Sequence, residues 1–294
     1  MKKYLALFLT MVMGASVLAG CGGSDSAKTF TVGFDAEYPP YGYRTESGDY
    51  AGFDLDLAAE VCERNGWELV KQPIDWDAKD MELNSGAIDC IWNGFTMTGR
   101  EDEYTFSKPY VDNSIVYVVR ADSDIQTEAD LAGKHVITQA GSSALSALQD
   151  ESKADVVNSF ASLDEIADYN TAFMNLDSGA ADAIAVDIGV AKYQLSQREE
   201  GKYVILDEPI QSEEYGIGFK KGNDELKDTV WEEVLKLYDA GEVDKLAEKY
   251  EVADMLCIGD DEKSDDKKDD AAEDDASDAD TAKEDTADTA KDAE

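Results

Sequence analysis

The chain is poor in positive charge and in the side chains that hold metals or act as nucleophiles. Its 294 residues carry 26 Lys plus Arg against 66 Asp plus Glu, a formal net charge of −40. A field of that sign repels phosphate polyanions, so nucleic acid is excluded as a partner. The single histidine, His135, lies alone in the strand-like segment Lys134-His135-Val136-Ile137, and the cysteines lack the spacing of a zinc site; no metal and no cofactor is expected. No Gly-x-x-x-x-Gly-Lys phosphate cradle occurs, so ATP would have to be handled by a partner. Beyond the N-terminal apolar run, nothing is apolar enough for a membrane span.

What is present is a globular core between two atypical ends. Hydrophobic residues make up 43 % of the chain, near the level of a folded protein. Residues 260–294 contain 17 acids and 5 lysines but no aromatic, Val, Ile or Leu. Such a stretch cannot bury enough apolar surface to offset about 1–2 kcal/mol of backbone entropy per residue, and reads as a disordered acidic tail. At the other end Lys2 and Lys3 precede an apolar run from Tyr4 to Leu18, the pattern of an export signal over residues 1–20. The ending Leu18-Ala19-Gly20-Cys21 resembles the bacterial lipoprotein cleavage box; the other reading is an ordinary signal peptide with a coincidental cysteine. The lipoprotein reading makes Cys21 the acyl-bearing first residue, residues 21–28 a leash, and the outer face of a membrane the location. Three further cysteines, Cys62, Cys90 and Cys257, cannot all pair internally and are read as buried thiols in preference to a single bridge.

Residues 29–259 alternate between strand and helix patterns. The spacing predicts a strand over 30–34, a helix over 54–63, a strand over 67–71, a helix over 79–84 and a strand over 88–92. A β-rich run at 114–119 leaves this unit. A second series follows: strand 134–138, helix 144–150, strand 155–157, helix 171–178, strand 183–186, helix 188–196 and strand 203–206. A strand at 215–219 and helices at 224–239 and 243–250 close the chain. The order is that of an α/β protein with two lobes, lobe 1 from 29–118 and 212–259 and lobe 2 from 119–211, hinged near Tyr117–Arg120 and Pro209–Tyr215.

Ligands of α/β proteins sit outside the carboxyl ends of the parallel strands, so facing lobes place both sets of strand ends on one cleft. The loops there hold Asp35 to Tyr41, Asn93 to Arg100, Ala140 to Ser143, and Asp187. Arginine is scarce, 5 against 21 lysines, which makes Arg100 in a Gly- and Thr-rich loop notable. A guanidinium fork can grip a carboxylate, with donors from Thr96 and from a helix start at Ser142-Ser143. Asp187, after an apolar strand in the other lobe, supplies the opposite charge, so the two together match the poles of an amino-acid zwitterion. The bland alternatives are a surface arginine paired with Glu101 or Asp102, and a helix cap at Asp187. Tyr38 and Trp76 suit stacking on a ligand side chain, whereas Phe53 and Trp92 suit the core.

Taken as an ordered set, Gly33-Phe34-Asp35 with Tyr38-Pro39-Pro40, Gly52-Phe53-Asp54-Leu55-Asp56-Leu57, Gly86-Ala87-Ile88-Asp89, Thr96-Met97-Thr98-Gly99-Arg100 and Phe106-Ser107-Lys108-Pro109-Tyr110 resemble the solute-binding protein family 3 of amino-acid ABC transporters, over residues 29 to about 252. The resemblance implies a type 2 periplasmic-binding fold, two lobes joined by two crossing strands and closing on ligand. It also implies a ligand α-carboxylate on Arg100, Thr96 and Ser143 and an α-ammonium on Asp187 near Gly94 and Thr96. Tyr38 and Trp76 would flank the side chain, with Asp35 at its far end. Two departures stand out: Asn93-Gly94 replaces a common serine, and the Thr98-to-Arg100 turn is one residue short of the usual form. The function so implied is capture of a polar amino acid by a monomeric, membrane-anchored receptor, for delivery to an ABC permease with a separate ATPase. Asp35 and the negative field favour a cationic side chain; glutamine, histidine and cystine stay open, and glutamate is disfavoured because no spare lysine or arginine is evident. A sensory receptor, or a dehydratase or lytic enzyme on the same fold, is the alternative; the sequence offers no histidine base, activated nucleophile or second catalytic group for an enzyme.

Overall fold

The computed structural model describes residues 27–259. The export signal, Cys21 and the acidic tail lie outside the described residues. The first strand β1 (Thr29–Phe34) is followed by a small antiparallel flap of β2 (Glu37–Tyr38), β3 (Gly42–Arg44) and β4 (Tyr50–Ala51). Helix α1 (Phe53–Asn65) buries Phe53, Leu55, Leu57, Ala58, Val61 and Cys62 and is closed by Gly66. Then come β5 (Glu68–Pro73), α2 (Lys79–Ser85), β6 (Cys90–Ile91) and β7 (Tyr104–Phe106).

The second lobe begins with β8 (Val111–Arg120) and continues through β9 (His135–Gln139), α3 (Ser143–Gln149), α4 (Ala154–Val157), β10 (Ser162–Ile166), α5 (Tyr169–Ser178), β11 (Ala183–Asp187), α6 (Ile188–Ser196), β12 (Tyr203–Ile205) and β13 (Gln211–Tyr215). The chain returns through β14 (Gly218–Lys220) and the amphipathic helices α7 (Asp224–Asp239) and α8 (Glu242–Lys249). Helix α7 buries Val230, Trp231, Val234 and Leu237, the spacing of one helical face, and packs on α1.

Two sheets organise the molecule. The first runs β5-β1-β6-β14-β7, with β1 parallel to β5 and β6 and with β14 antiparallel to its neighbours. The second runs β10-β9-β11-β8-β12, with β13 also on β8; β9 is parallel to β10 and β11, and β8 is antiparallel to β11, β12 and β13. Every ladder pair of β8 lies in the second sheet, from Val111 onward. The chain therefore changes sheets between Phe106 and Val111 and again between Tyr215 and Gly218, so the boundary drawn at residues 118 and 119 falls inside a strand. Isolated bridges, Thr96 with Tyr215 and Val111 with Leu256, tie these crossing points to the first lobe.

Two elements depart from their sequence reading. The strand expected over 215–219 is split between β13 and β14 by the change of sheet at Gly216 and Ile217. Asp155-Val156-Val157 is helical, not a strand, because the Asp150 carboxylate accepts from the Ser152 amide and starts a turn that runs straight into α4. The strand of that unit is β10, five residues further on. Cys62 and Cys90 are buried free thiols, Cys257 is half-buried, and the His135 ring on β9 hydrogen-bonds Ser162.

Candidate ligand-binding cleft

The chemistry-bearing loops do sit at the strand ends, where β1, β6, β9 and β11 point into the junction of the lobes. The lobes meet directly there. The Tyr38 hydroxyl donates to Asp187 Oδ2, Gln139 Nε2 donates to Asp35 Oδ2 at 2.6 Å, and Lys79 Nζ donates to the Gly141 carbonyl at 3.3 Å. Asn170 and Glu37 are joined in the same way. Each bond runs from a lobe 1 loop or helix to a lobe 2 strand end or helix start, so this is a closed arrangement.

A cleft of about 600 Å³ opens at this junction, lined by Asp35, Glu37, Asp75, Asp77, Glu165 and Asp168 together with Trp76 and a few aliphatic groups. Six carboxylates and no lysine or arginine form its walls. The rings of Tyr38 and Trp76 are parallel within 6° with centroids 6.4 Å apart. Trp76 is held edge-on by Phe95, and its far side carries Lys79 Nζ at 5.3 Å. Asp35 is buried, and that burial pushes its carboxyl up to about 6 despite donation from the Glu37 amide and Gln139.

A second, smaller opening of about 200 Å³ is lined by Thr98, Gly99, Arg100, Ser143, Ser146 and Gln211 among others. Arg100 donates to the Thr96 carbonyl at 3.3 Å, lies over the Phe95 ring at 5.2 Å, and forms no salt bridge among the described residues. The pairing with Glu101 or Asp102 is thus absent. Asp187 does follow β11 and occupies the N-cap position of α6, yet its side chain makes no cap hydrogen bond. Its carboxylate accepts instead from Tyr38 and from Asn113 Nδ2 at 2.6 Å. Asp187 and Arg100 do not line one cavity; they stand at the two ends of a buried relay.

That relay runs through Glu213. Glu213 Oε1 accepts from Thr96 Oγ1 at 2.8 Å, Asn113 Nδ2 at 2.8 Å and Ser143 Oγ at 3.2 Å. The two hydroxyls expected to serve a ligand carboxylate are therefore already donated to a side chain of the protein. Glu213 is 4 % exposed, and burial followed by the charge of Asp187 drives its carboxyl well above the usual carboxylate range. Gly94 is nearby for a steric reason: at φ 55 a Cβ there would lie 2.9 Å from the Tyr215 ring and 3.1 Å from those of Tyr38 and Tyr41. Its amide donates to Asp54 at 2.6 Å, and burial pushes Asp54 up to about 7.

Sequence reasoning missed Glu213, Asn113, Gln139 and Lys79. For the first two a signal existed: Glu213 shares the β13 face of buried Tyr215, and Asn113 shares the β8 face of Val111 and Ile115, so period two already assigned them inward positions. Lys79 was taken only as the start of a helix. It is buried between the lobes, desolvation and the nearby Arg100 lower its pKa, and its donors are used on the carbonyls of Gly141 and Trp76.

The same architecture occurs in known proteins. The chain is 28 % identical over 230 residues to the L-cystine-binding protein TcyJ of Escherichia coli K12, covering 77 % of this chain and 84 % of that one. It is 29 % identical over 258 residues to the arginine-binding extracellular protein ArtP of Bacillus subtilis, covering 85 % and 98 %. Its structure resembles that of an ABC uptake transporter substrate-binding protein from Streptococcus pneumoniae with bound histidine, with a TM-score of 0.72, 32 % identity, and coverage of 76 % and 92 %. These relatives are binding proteins, not enzymes. The model of the bacterial extracellular solute-binding proteins, family 3, matches residues 30–253, and the chain belongs to that family.

Proposed function

We propose that this protein binds a polar L-amino acid between its lobes outside the cell and presents it to the permease of an ABC importer, with a cationic side chain preferred. The observation that carries the preference is the cleft wall: six carboxylates line it with Trp76, and Lys79, over the Trp76 ring, is committed to two carbonyls. A guanidinium or ammonium entering there gains Coulomb attraction and a cation-π face, whereas a carboxylate side chain is repelled. Arg100, without a carboxylate of its own, is the proposed partner of the ligand α-carboxylate at the opening it shares with Ser143. Asp187 is the proposed partner of the α-ammonium. Anchoring through an acylated Cys21 and the separate ATPase rest on the sequence reading alone.

Titration calorimetry of residues 27–259 against the common amino acids tests this reading. Arginine and lysine should bind more tightly than glutamine, histidine or cystine, and glutamate should not bind. Arg100→Ala should weaken the best ligand by about 10- to 100-fold, the worth of a charge-assisted hydrogen-bond pair. Tight binding of glutamate, or of a sugar in place of any amino acid, would overturn the proposal.

A further inference from the structure

Glu213 and Asp187 pose an electrostatic problem that no other described residue solves. Both are buried, at 4 % and 2 % exposure, and a single side-chain amide, Asn113 Nδ2, bridges them. Neither takes part in a salt bridge among the described residues. Two buried carboxylates without a cation are expensive, so such a pair holds a proton or waits for a positive charge. The remaining oxygen makes the point. Glu213 Oε2 and Asn113 Oδ1 are both buried without a hydrogen-bond partner among the described residues, and the Glu213 carboxyl lies within hydrogen-bonding reach of Asp187. An ammonium supplies three donors and one charge, which meets both needs at once.

Resting on the amino-acid reading above, we propose that Glu213 is a second acidic ligand of the α-ammonium, and that the ligand's ammonium enters in exchange for the proton that Glu213 holds in the empty site. The step balances: the ammonium keeps its protons, Glu213 releases one to solvent, and the charge of the pocket is unchanged.

The groups around the pair leave Glu213 as the one that titrates in the relevant range. Tyr38, Tyr41, Tyr169 and Tyr215 face the pair from the flap, the following loop, α5 and β13; burial raises all four phenols far above neutral pH, so they stay protonated. Asp54 and Asp35, pushed up to about 7 and about 6, are ionised above pH 8. The charge of Asp187 raises Glu213 further.

The test is calorimetry with the best amino-acid ligand at about pH 8 to 8.5 in buffers of different ionisation enthalpy, on wild type and Glu213→Gln. Wild type should release about one proton per ligand and gain close to tenfold in affinity per pH unit. The variant should release none, lose the slope, and bind about 10- to 100-fold more weakly at the top of the range. A merely structural Glu213 would lower affinity and leave proton release in place. Equal proton release in both proteins, or a variant that binds as tightly as wild type, overturns the inference while leaving amino-acid binding intact. A ligand-free arm is independent of ligand identity. A carboxyl protonated in the folded state and ionised in the unfolded one costs stability as pH rises, so the wild-type Tm should fall between about pH 7 and 8.5 more steeply than that of the variant. Parallel Tm curves would also refute the exchange.

Discussion

Closure of the lobes can be tested at a position that neither lobe needs for its own fold. Gly189, in the first turn of α6, approaches Tyr41 of lobe 1 so closely that a Cβ would lie 2.5 Å from the hydroxyl oxygen and 3.2 Å from two ring carbons. Carbon contacts settle at about 3.5–4.0 Å, so Gly189→Ala forces a displacement of about 1 Å. The ring cannot swing aside, because Tyr41 is fully buried and set edge-on against Tyr215 at 5.2 Å and 84°. Overpacking of this kind costs about 1–3 kcal/mol. The cost falls on the closed form alone, since Tyr41 and Gly189 belong to different lobes. A ligand that binds only the closed form should therefore lose about 5- to 150-fold in affinity. Calorimetry reads the Kd, and small-angle scattering at saturating ligand reads whether the lobes still close. Gly189→Ala combined with Tyr41→Phe should recover part of the loss, as the hydroxyl makes the shortest contact and has no hydrogen-bond partner to lose. An alanine variant with wild-type affinity and wild-type scattering would refute the idea that this close approach limits closure.

Three further outcomes are expected. Asp35→Asn should flatten the pH dependence of stability: a carboxyl raised to about 6 when folded from 3.8 costs stability as pH rises from about 4 to 6, and the amide removes up to about 2–3 kcal/mol of that fall, as read from Tm against pH. Trp76→Ala should weaken a cationic ligand by about 3- to 30-fold, the worth of one cation-π face, and have less effect on a neutral one; equal losses for both would argue for packing alone. In residues 27–259, buried Cys62, pushed up to about 11, and buried Cys90, also raised, should react with a thiol reagent only on unfolding; reaction of either in the native state would refute their burial.

The family motifs were legible because each is short and local. The Gly-Phe-Asp run at the end of β1, the Thr-Met-Thr-Gly-Arg turn after β6 and the apolar strand before Asp187 marked loops that the structure brings to the strand ends at the lobe junction. The same local logic produced the helices, whose apolar spacing and closing glycines at Gly66, Gly86 and Gly179 are sequence features. It failed at Asp155–Val157, where β-branched residues read as a strand but a capped turn upstream fed a helix. It also failed at β8 as a boundary, because a ten-residue strand that crosses between lobes carries no mark of where it changes neighbours.

The amino-acid order carries the inventory: two α/β lobes, an acidic composition, one arginine and one aspartate on strand-end loops, and aromatics beside them. Which of these groups touch is set by packing in three dimensions. Thr96 and Ser143 lie 47 residues apart and reach their common partner Glu213 only across the lobe junction, while Tyr38 meets Asp187 across 149 residues. Contacts of that separation depend on how two folded bodies pack and how far they close. Spacing along the chain holds no information about that distance, and a desolvated pair of acids therefore becomes visible only in three dimensions.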